Sequence, residues 1–219
     1  MKVLELFAGK RCIGRAFESK EHEVYSIEWD KQHDNINWYV DIGTITAEDI
    51  LERFGMPDVI WASPDCTSYS IAAISHHRKK EEDGNLAPVS DYAKFCDKVN
   101  QNTLKVIDKL IELNPNLIYF IENPRGGMRK MNFMKGRPRY TVTYCKYGDE
   151  RMKPTDIWTN HPNPKFKPMC KNGDPCHVAA PRGSKTGTQG RKGSVERSLI
   201  PQKLCEHIVE ICEEYYGEE

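Results

Sequence analysis

Nowhere in the 219 residues is there an apolar run near the ~20 residues a membrane-spanning helix needs, so no helical membrane span is expected. The N-terminus opens straight into Lys2-Val3-Leu4-Glu5-Leu6-Phe7, a strand-like run, and no signal peptide is expected before it. Internal repeats are absent. A disulfide framework is missing as well: eight cysteines (12, 66, 96, 145, 170, 176, 205 and 212) are scattered, and Cys96, Cys205 and Cys212 fall at core-facing helical positions. That is the usage of a reduced, cytoplasmic protein. The first strand-to-helix turn, Ala8-Gly9-Lys10-Arg11-Cys12-Ile13-Gly14, lacks the Gly-x-Gly-x-x-Gly that cradles a pyrophosphate. A dinucleotide cofactor is thereby disfavoured, and a nucleoside without phosphates fits better.

Net charge is also zero, but its distribution is uneven. Residues 1–124 carry 14 Lys/Arg against 21 Asp/Glu, residues 125–203 carry 18 against 5, and the last 16 carry none against 6. A basic segment of this length, with Tyr140, Tyr144, Tyr147, Trp158 and Phe166 among the charges, predicts a polyanion-binding surface with stacking faces. The alternative is a solvated, lysine-rich loop region.

What is present alternates between strands and helices. Strands are predicted at Lys2–Phe7, Val24–Ile27, Trp38–Val40, Val59–Ala62, Leu117–Ile121, Tyr140–Cys145 and Asp156–Trp158. Thr46-Ala47-Glu48-Asp49 is a capping box for a helix ending at Gly55. Asp91–Leu113 has the spacing of a long amphipathic helix, with Tyr92, Phe95, Cys96, Val99, Val106, Ile107, Leu110 and Ile111 on its apolar stripe. Pro201 opens a last helix that Gly217 stops. The β-α-β alternation predicts an α/β fold with a doubly wound, mostly parallel sheet.

Functional residues fall at strand ends, the edge where such sheets bind ligands. Gly9 permits close backbone approach, Glu28 ends the second strand where an acid accepts ribose hydroxyls, and Asp41 ends the third. Ser63-Pro64-Asp65-Cys66 follows the fourth strand, and its proline stops the strand and presents a thiol. Alone, that thiol fits an inert buried cysteine as well as a nucleophile.

Taken in order, Leu4-Glu5-Leu6-Phe7-Ala8-Gly9, Glu28, Asp41-Ile42, Pro64-Asp65-Cys66 and Glu122-Asn123-Pro124 resemble the DNA cytosine carbon-5 methyltransferases over residues 1–160. A closing segment from about Arg197 to Ile211, with Gly193 ahead of Ile200-Pro201-Gln202, is similar too. The resemblance implies a Rossmann-like S-adenosylmethionine domain from residues 1–160 plus 197–219. Residues 161–196 would form a small, basic, loop-rich recognition region. It implies that Phe7, Ala8 and Gly9 line the methionine moiety with Pro64 near them, that Glu28 binds ribose, that Trp29 stacks on adenine, and that Asp41 and Ile42 meet the adenine edge. Cys66 would attack carbon 6 of a flipped-out cytosine, Glu122 would hold ring nitrogen 3 and the exocyclic amine, and Asn123 and Pro124 would position Glu122. DNA is the implied partner, in restriction-modification or related roles, with the chain a monomer or weak dimer.

Three departures from the family pattern stand out. Asp65 replaces a proline, Pro124 replaces a valine, and Arg151, Lys153 and Thr155 fall where the family has Gln-x-Arg-x-Arg. Arg151 and Lys153 are expected to retain part of that cationic reach. The long aperiodic stretch Thr67–Val89 is expected to be a lid over the substrate. Cys170-x₅-Cys176-His177, with His161 nearby, is a candidate structural zinc clip lacking an evident fourth ligand, packed cysteines being the alternative. Two other readings stay open: the same fold acting on cytosine in RNA or a nucleotide, or transferring a different group, and a non-catalytic nucleic-acid binder.

Overall fold

The structure, a computed structural model, describes residues 1–179 and 194–217; Gly193 lies outside them. Five strands, β1 (Lys2–Leu6), β2 (Glu23–Glu28), β3 (Trp38–Tyr39), β4 (Val59–Ala62) and β7 (Ile118–Pro124), pair in parallel. Two more, β8 (Arg139–Thr143) and β9 (Pro154–Thr159), extend the sheet antiparallel, giving the order β3-β2-β1-β4-β7-β9-β8. This is the doubly wound, mostly parallel sheet that the alternation predicts, of the Rossmann-like type that the resemblance implies. Its strand order reverses between β1 and β4, which places a binding crevice at their carboxyl ends.

Side chains alternate across the central strands, and that period of two builds two cores. Leu4, Leu6, Ile60, Ala62, Tyr119 and Ile121 face one way, joined by apolar residues of α2 (Ala47–Arg53) and α4 (Asp91–Leu113). Val3, Val59, Trp61, Ile118 and Phe120 face the other, under α1 (Cys12–Glu18) and α6 (Gln202–Gly217). The capping box forms as expected: Asp49 N–H donates to Thr46 Oγ1 at 3.1 Å and Thr46 N–H to Asp49 Oδ2 at 2.8 Å. Cys96, Cys205 and Cys212 are buried. Among the described residues no helix is long and apolar enough to cross a membrane.

Three expectations need correction. The stretch 67–89, expected as an aperiodic lid, carries regular elements. It holds a 3-10 turn at Thr67–Tyr69, a one-turn helix α3 (Ile74–His77), and a hairpin of β5 (Arg78–Lys80) with β6 (Leu86–Pro88). Arg78 is its anchor. The buried guanidinium donates to Ser68 O and Leu86 O and forks onto both carboxylate oxygens of Asp97, while lying 4.1 Å from the Tyr69 ring centre.

The second correction involves that anchor. At the start of α4 the inward positions include Asp97, which accepts from Arg78 and the Tyr69 hydroxyl, and Asn100, which donates to that hydroxyl, while Tyr92 and Phe95 point outward at 42% and 52% exposure.

The third concerns the aromatics of the basic segment. Tyr144, Tyr147 and Trp158 are buried, the first two against α6 and the third in the opposite core. They belong to the sheet's packing and offer no stacking face. Several cations are likewise consumed by acids, as in Arg129–Asp156, Arg137–Asp108 and Arg151–Asp149.

Candidate active site

Backbone geometry shapes the first half of the crevice. Phe7, Gly9 and Arg11 all adopt positive φ (57°, 49° and 56°), so the chain leaves β1 in a tight left-handed course before α1 begins. Such values are unfavourable for Phe and Arg and persist only where the surroundings hold them. Here Ala8 N–H reaches Ile27 O at 3.1 Å, and Gly9 N–H reaches Glu28 Oε2 at 3.0 Å. Below the loop, Glu5, a residue the sequence did not single out, accepts from Gly14 N–H and Ser26 Oγ and lies 3.7 Å from Arg11. Burial raises the carboxyl pKa of Glu5. Gly14 leaves no room for a Cβ, which would collide with the Glu5 carboxylate.

Glu28 is buried at the end of β2, where its Oε1 takes the N–H groups of Trp29 and Asp30 at 2.9 and 3.1 Å. The carboxylate therefore organises the crevice wall as well as presenting charge. Trp29 beside it is 68% exposed, an unusual state for an indole. A Cβ on Gly9 would meet nothing closer than Phe7 O at 4.0 Å, so this face of the loop stands open. Asp41 Oδ1 caps the next turn through Gly43 N–H at 2.8 Å, and Ile42 packs into the core. A buried acid, an exposed flat ring and an open glycine without a pyrophosphate loop suit a nucleoside-like group such as S-adenosylmethionine.

The second half lies one strand across. Ala62 of β4 pairs with Ile121 of β7, which brings Ser63–Cys66 alongside Glu122–Pro124. Asn123, fully buried, donates from Nδ2 to Pro64 O at 3.0 Å and ties the two strand ends together. Asp65 explains its own departure from the family pattern. Its carboxylate accepts Thr67 N–H at 2.8 Å and Thr67 Oγ1 at 3.2 Å, closing the turn that has Cys66 as its N-cap.

Glu122 is buried and accepts the Tyr144 hydroxyl on Oε1 at 2.9 Å. Burial pushes its pKa up, while Lys153, Tyr144 and Ser63 draw it back. Cys66 is half-buried, and its thiol is pushed up to about 11 by burial and by the carboxylates of Asp65 and Glu122. The Lys153 charge acts on both groups and favours the anion of each. Lys153 sits at φ 26°, with Nζ 4.6 Å from the Tyr144 ring centre and donating to Arg197 O at 2.9 Å. Desolvation lowers its own pKa.

Cys66, Glu122, Asn123 and Lys153 thus converge, but Arg151 makes different contacts. Its guanidinium is closed on Asp149. Tyr144 was not recognised from sequence as a partner of Glu122. Only the pairing of β7 with β9 and of β9 with β8 brings Tyr144 there.

Away from the crevice, Cys170, Cys176 and His177 come together as the spacing suggests, and Cys145 joins them. His161 does not: its ring nitrogens meet Ile211 O and Asn163 N–H.

Residues 1–101 match the C-5 cytosine-specific DNA methylase family. Over 231 aligned residues the chain is 26% identical to a protein of Frog virus 3 (isolate Goorha) named probable DNA (cytosine-5)-methyltransferase, covering 97% of this chain and all of that one. Among solved structures, S. pombe Dnmt2 methyltransferase aligns with TM-score 0.47 at 14% identity over 73% of this chain. A triple mutant of Spodoptera frugiperda DNMT2 aligns with TM-score 0.46 at 13% identity over 78%. The chain spans 48% and 53% of those two proteins, about half their length.

Proposed function

We propose that the chain, whose residues 1–101 match the C-5 cytosine-specific DNA methylase family, methylates carbon 5 of cytosine in DNA through a covalent Cys66 adduct. The observation that carries this reading is the pairing of a thiol and a buried carboxyl on adjacent strand ends, Cys66 after β4 and Glu122 on β7, joined by the Asn123–Pro64 hydrogen bond. Fold alone would require neither group.

S-adenosylmethionine, when bound, supplies the electrophilic methyl group. Its nucleoside part would lie against Glu28, Asp41 and the exposed Trp29, with Phe7, Ala8, Gly9 and Pro64 toward the sulfonium. This chain's residues do the remaining work. Cys66 gives up its thiol proton to water, the Sγ thiolate bonds to carbon 6 of the flipped base, and negative charge moves into the ring. A protonated Glu122 placed at ring nitrogen 3 takes that charge by donating its proton, which its raised pKa favours. Lys153 favours the thiolate that attacks and later leaves. After methyl transfer the carbon 5 proton passes to water, expulsion of the Cys66 thiolate restores the aromatic ring, and ring nitrogen 3 returns its proton to Glu122.

Duplex DNA containing 5-fluorocytosine tests the covalent step, because fluorine cannot leave as a proton does. Wild-type protein with cofactor is expected to form a denaturant-stable adduct, and Cys66→Ala none, with cofactor binding retained. Methyl transfer by Cys66→Ala at the wild-type rate would refute the mechanism. Activity on RNA cytosine alone, assayed in parallel, would refute DNA as substrate.

A further inference from the structure

Four ligating atoms from three separate stretches of chain meet beside β8. Cys145 Sγ, Cys170 Sγ, Cys176 Sγ and His177 Nδ1 all lie within 4.8 Å of one another. Cys145 and Cys170 are 3.1 Å apart and Cys176 and Cys145 3.6 Å, while His177 Nδ1 is 3.7 Å from Cys170 Sγ and 3.8 Å from Cys176 Sγ. Zinc–sulfur bonds of about 2.3 Å in a tetrahedron put sulfurs about 3.8 Å apart, near the Cys176–Cys145 separation and longer than the Cys145–Cys170 one. A disulfide needs sulfurs about 2.05 Å apart and would use only two of the three cysteines.

We propose that Cys145, Cys170, Cys176 and His177 bind one structural zinc ion that fastens the basic segment to the catalytic sheet. Three thiolates and an imidazole form a closed set with no position left for water, as in structural rather than catalytic zinc sites. Neighbouring groups already fix the ligands. Cys170 N–H donates to Thr143 Oγ1 at 3.0 Å. Between Cys170 and Cys176 the chain turns tightly: Lys171 N–H meets Asp174 Oδ2 at 2.8 Å, Asp174 N–H meets Lys171 O at 3.1 Å, and Gly173 takes φ 92°. Residues 160–179 contain no helix or strand, so a metal supplies the fixed shape that a core does not.

The ion would also reach the proposed catalytic site. Cys145 directly follows Tyr144, whose hydroxyl holds Glu122. This last link rests on the function proposed above, whereas the metal site does not.

Metal analysis of full-length protein purified from zinc-supplemented medium is expected to find about one zinc per chain. Cys145→Ser is expected to retain under half of that, while Cys12→Ser, which alters a cysteine outside the cluster, retains it all. Because Cys145→Ser itself can misfold, wild-type protein stripped by chelator provides the second measurement. Its melting temperature is expected to fall and to recover on adding zinc, and cobalt in place of zinc is expected to give the visible bands of a tetrahedral thiolate site. Absence of zinc from the wild type, equal zinc in Cys145→Ser, or a Cys145–Cys170 disulfide in protein kept reduced would each overturn the site. Metal content and melting read the zinc site alone, so they stand or fall separately from methyl transfer. A normal methylation rate in zinc-free folded protein would overturn the link to Glu122.

Discussion

Glu122 combines two properties that oppose each other: it is buried next to a thiol, yet it must ionise or share a proton to act. Burial raises its folded pKa above the ordinary 4.5. The sign of the linkage follows from that direction. The stability associated with the protonated carboxyl is fully present below pH 4.5 and is lost as pH rises through the folded pKa. Glu122→Gln keeps the shape and still accepts the Tyr144 hydroxyl, but never carries the buried charge. We expect the variant's melting temperature relative to wild type to increase from pH 4 to pH 8. Its methyl transfer should fall by ~10²–10⁴-fold, the span of general acid–base effects. Calorimetry at the two pH values and initial rates check both halves. A stability difference that shrinks with pH would show that Glu122 is held ionised. The type of this residue and its place after a strand were legible in the sequence, whereas its Tyr144 partner was not, because that contact depends on how two later strands fold back.

At the scale of elements, regular segments were read closely and the irregular one was not. The stripe of α4 fixed its limits at Asp91 and Leu113, and the capping box fixed the start of α2. Both signals are local and periodic. Residues 67–89 have no period because the hairpin is stabilised by one buried cation, and nothing local marks Arg78 as interior. Sequence position made Asp97 one more polar residue on a helix, and Tyr92 and Phe95 its apolar stripe. The Arg78–Asp97 pair reverses that assignment. Removing one member of a buried ion pair leaves the other without a partner, a loss of ~3–5 kcal/mol, whereas replacing both by apolar groups of similar volume is often nearly neutral. Arg78→Met is therefore expected to destabilise strongly, and Arg78→Met with Asp97→Leu to recover much of the loss, as read by urea unfolding. If the double variant were no more stable than the single one, the Ser68 and Leu86 carbonyl contacts, not the ion pair, would hold the hairpin.

Across the whole molecule the segregation of charge was legible, but its use was not. Residues 125–203 hold 18 cations and 5 acids. The structure spends part of that excess internally, on acids within the segment and beyond it: Arg129 on Asp156, Arg137 on Asp108, Arg151 on Asp149 and Lys165 on Glu214. A cation already paired releases few counterions when phosphate approaches, so the salt dependence of the proposed DNA binding should reflect fewer charges than composition implies. Arg125 and Arg137 make the contrast testable. Arg125 is exposed just past the Glu122-Asn123-Pro124 strand end, while both contacts of the Arg137 guanidinium to Asp108 are 2.8 Å or shorter. In binding measured over a series of salt concentrations, Arg125→Gln is expected to lower the log–log slope by about one. Arg137→Gln should leave the slope unchanged and reduce stability instead. Equal loss of slope in the two variants would mean that DNA competes successfully for paired arginines. The basic segment would then act as a single field, with no selected set of contacts around Cys66.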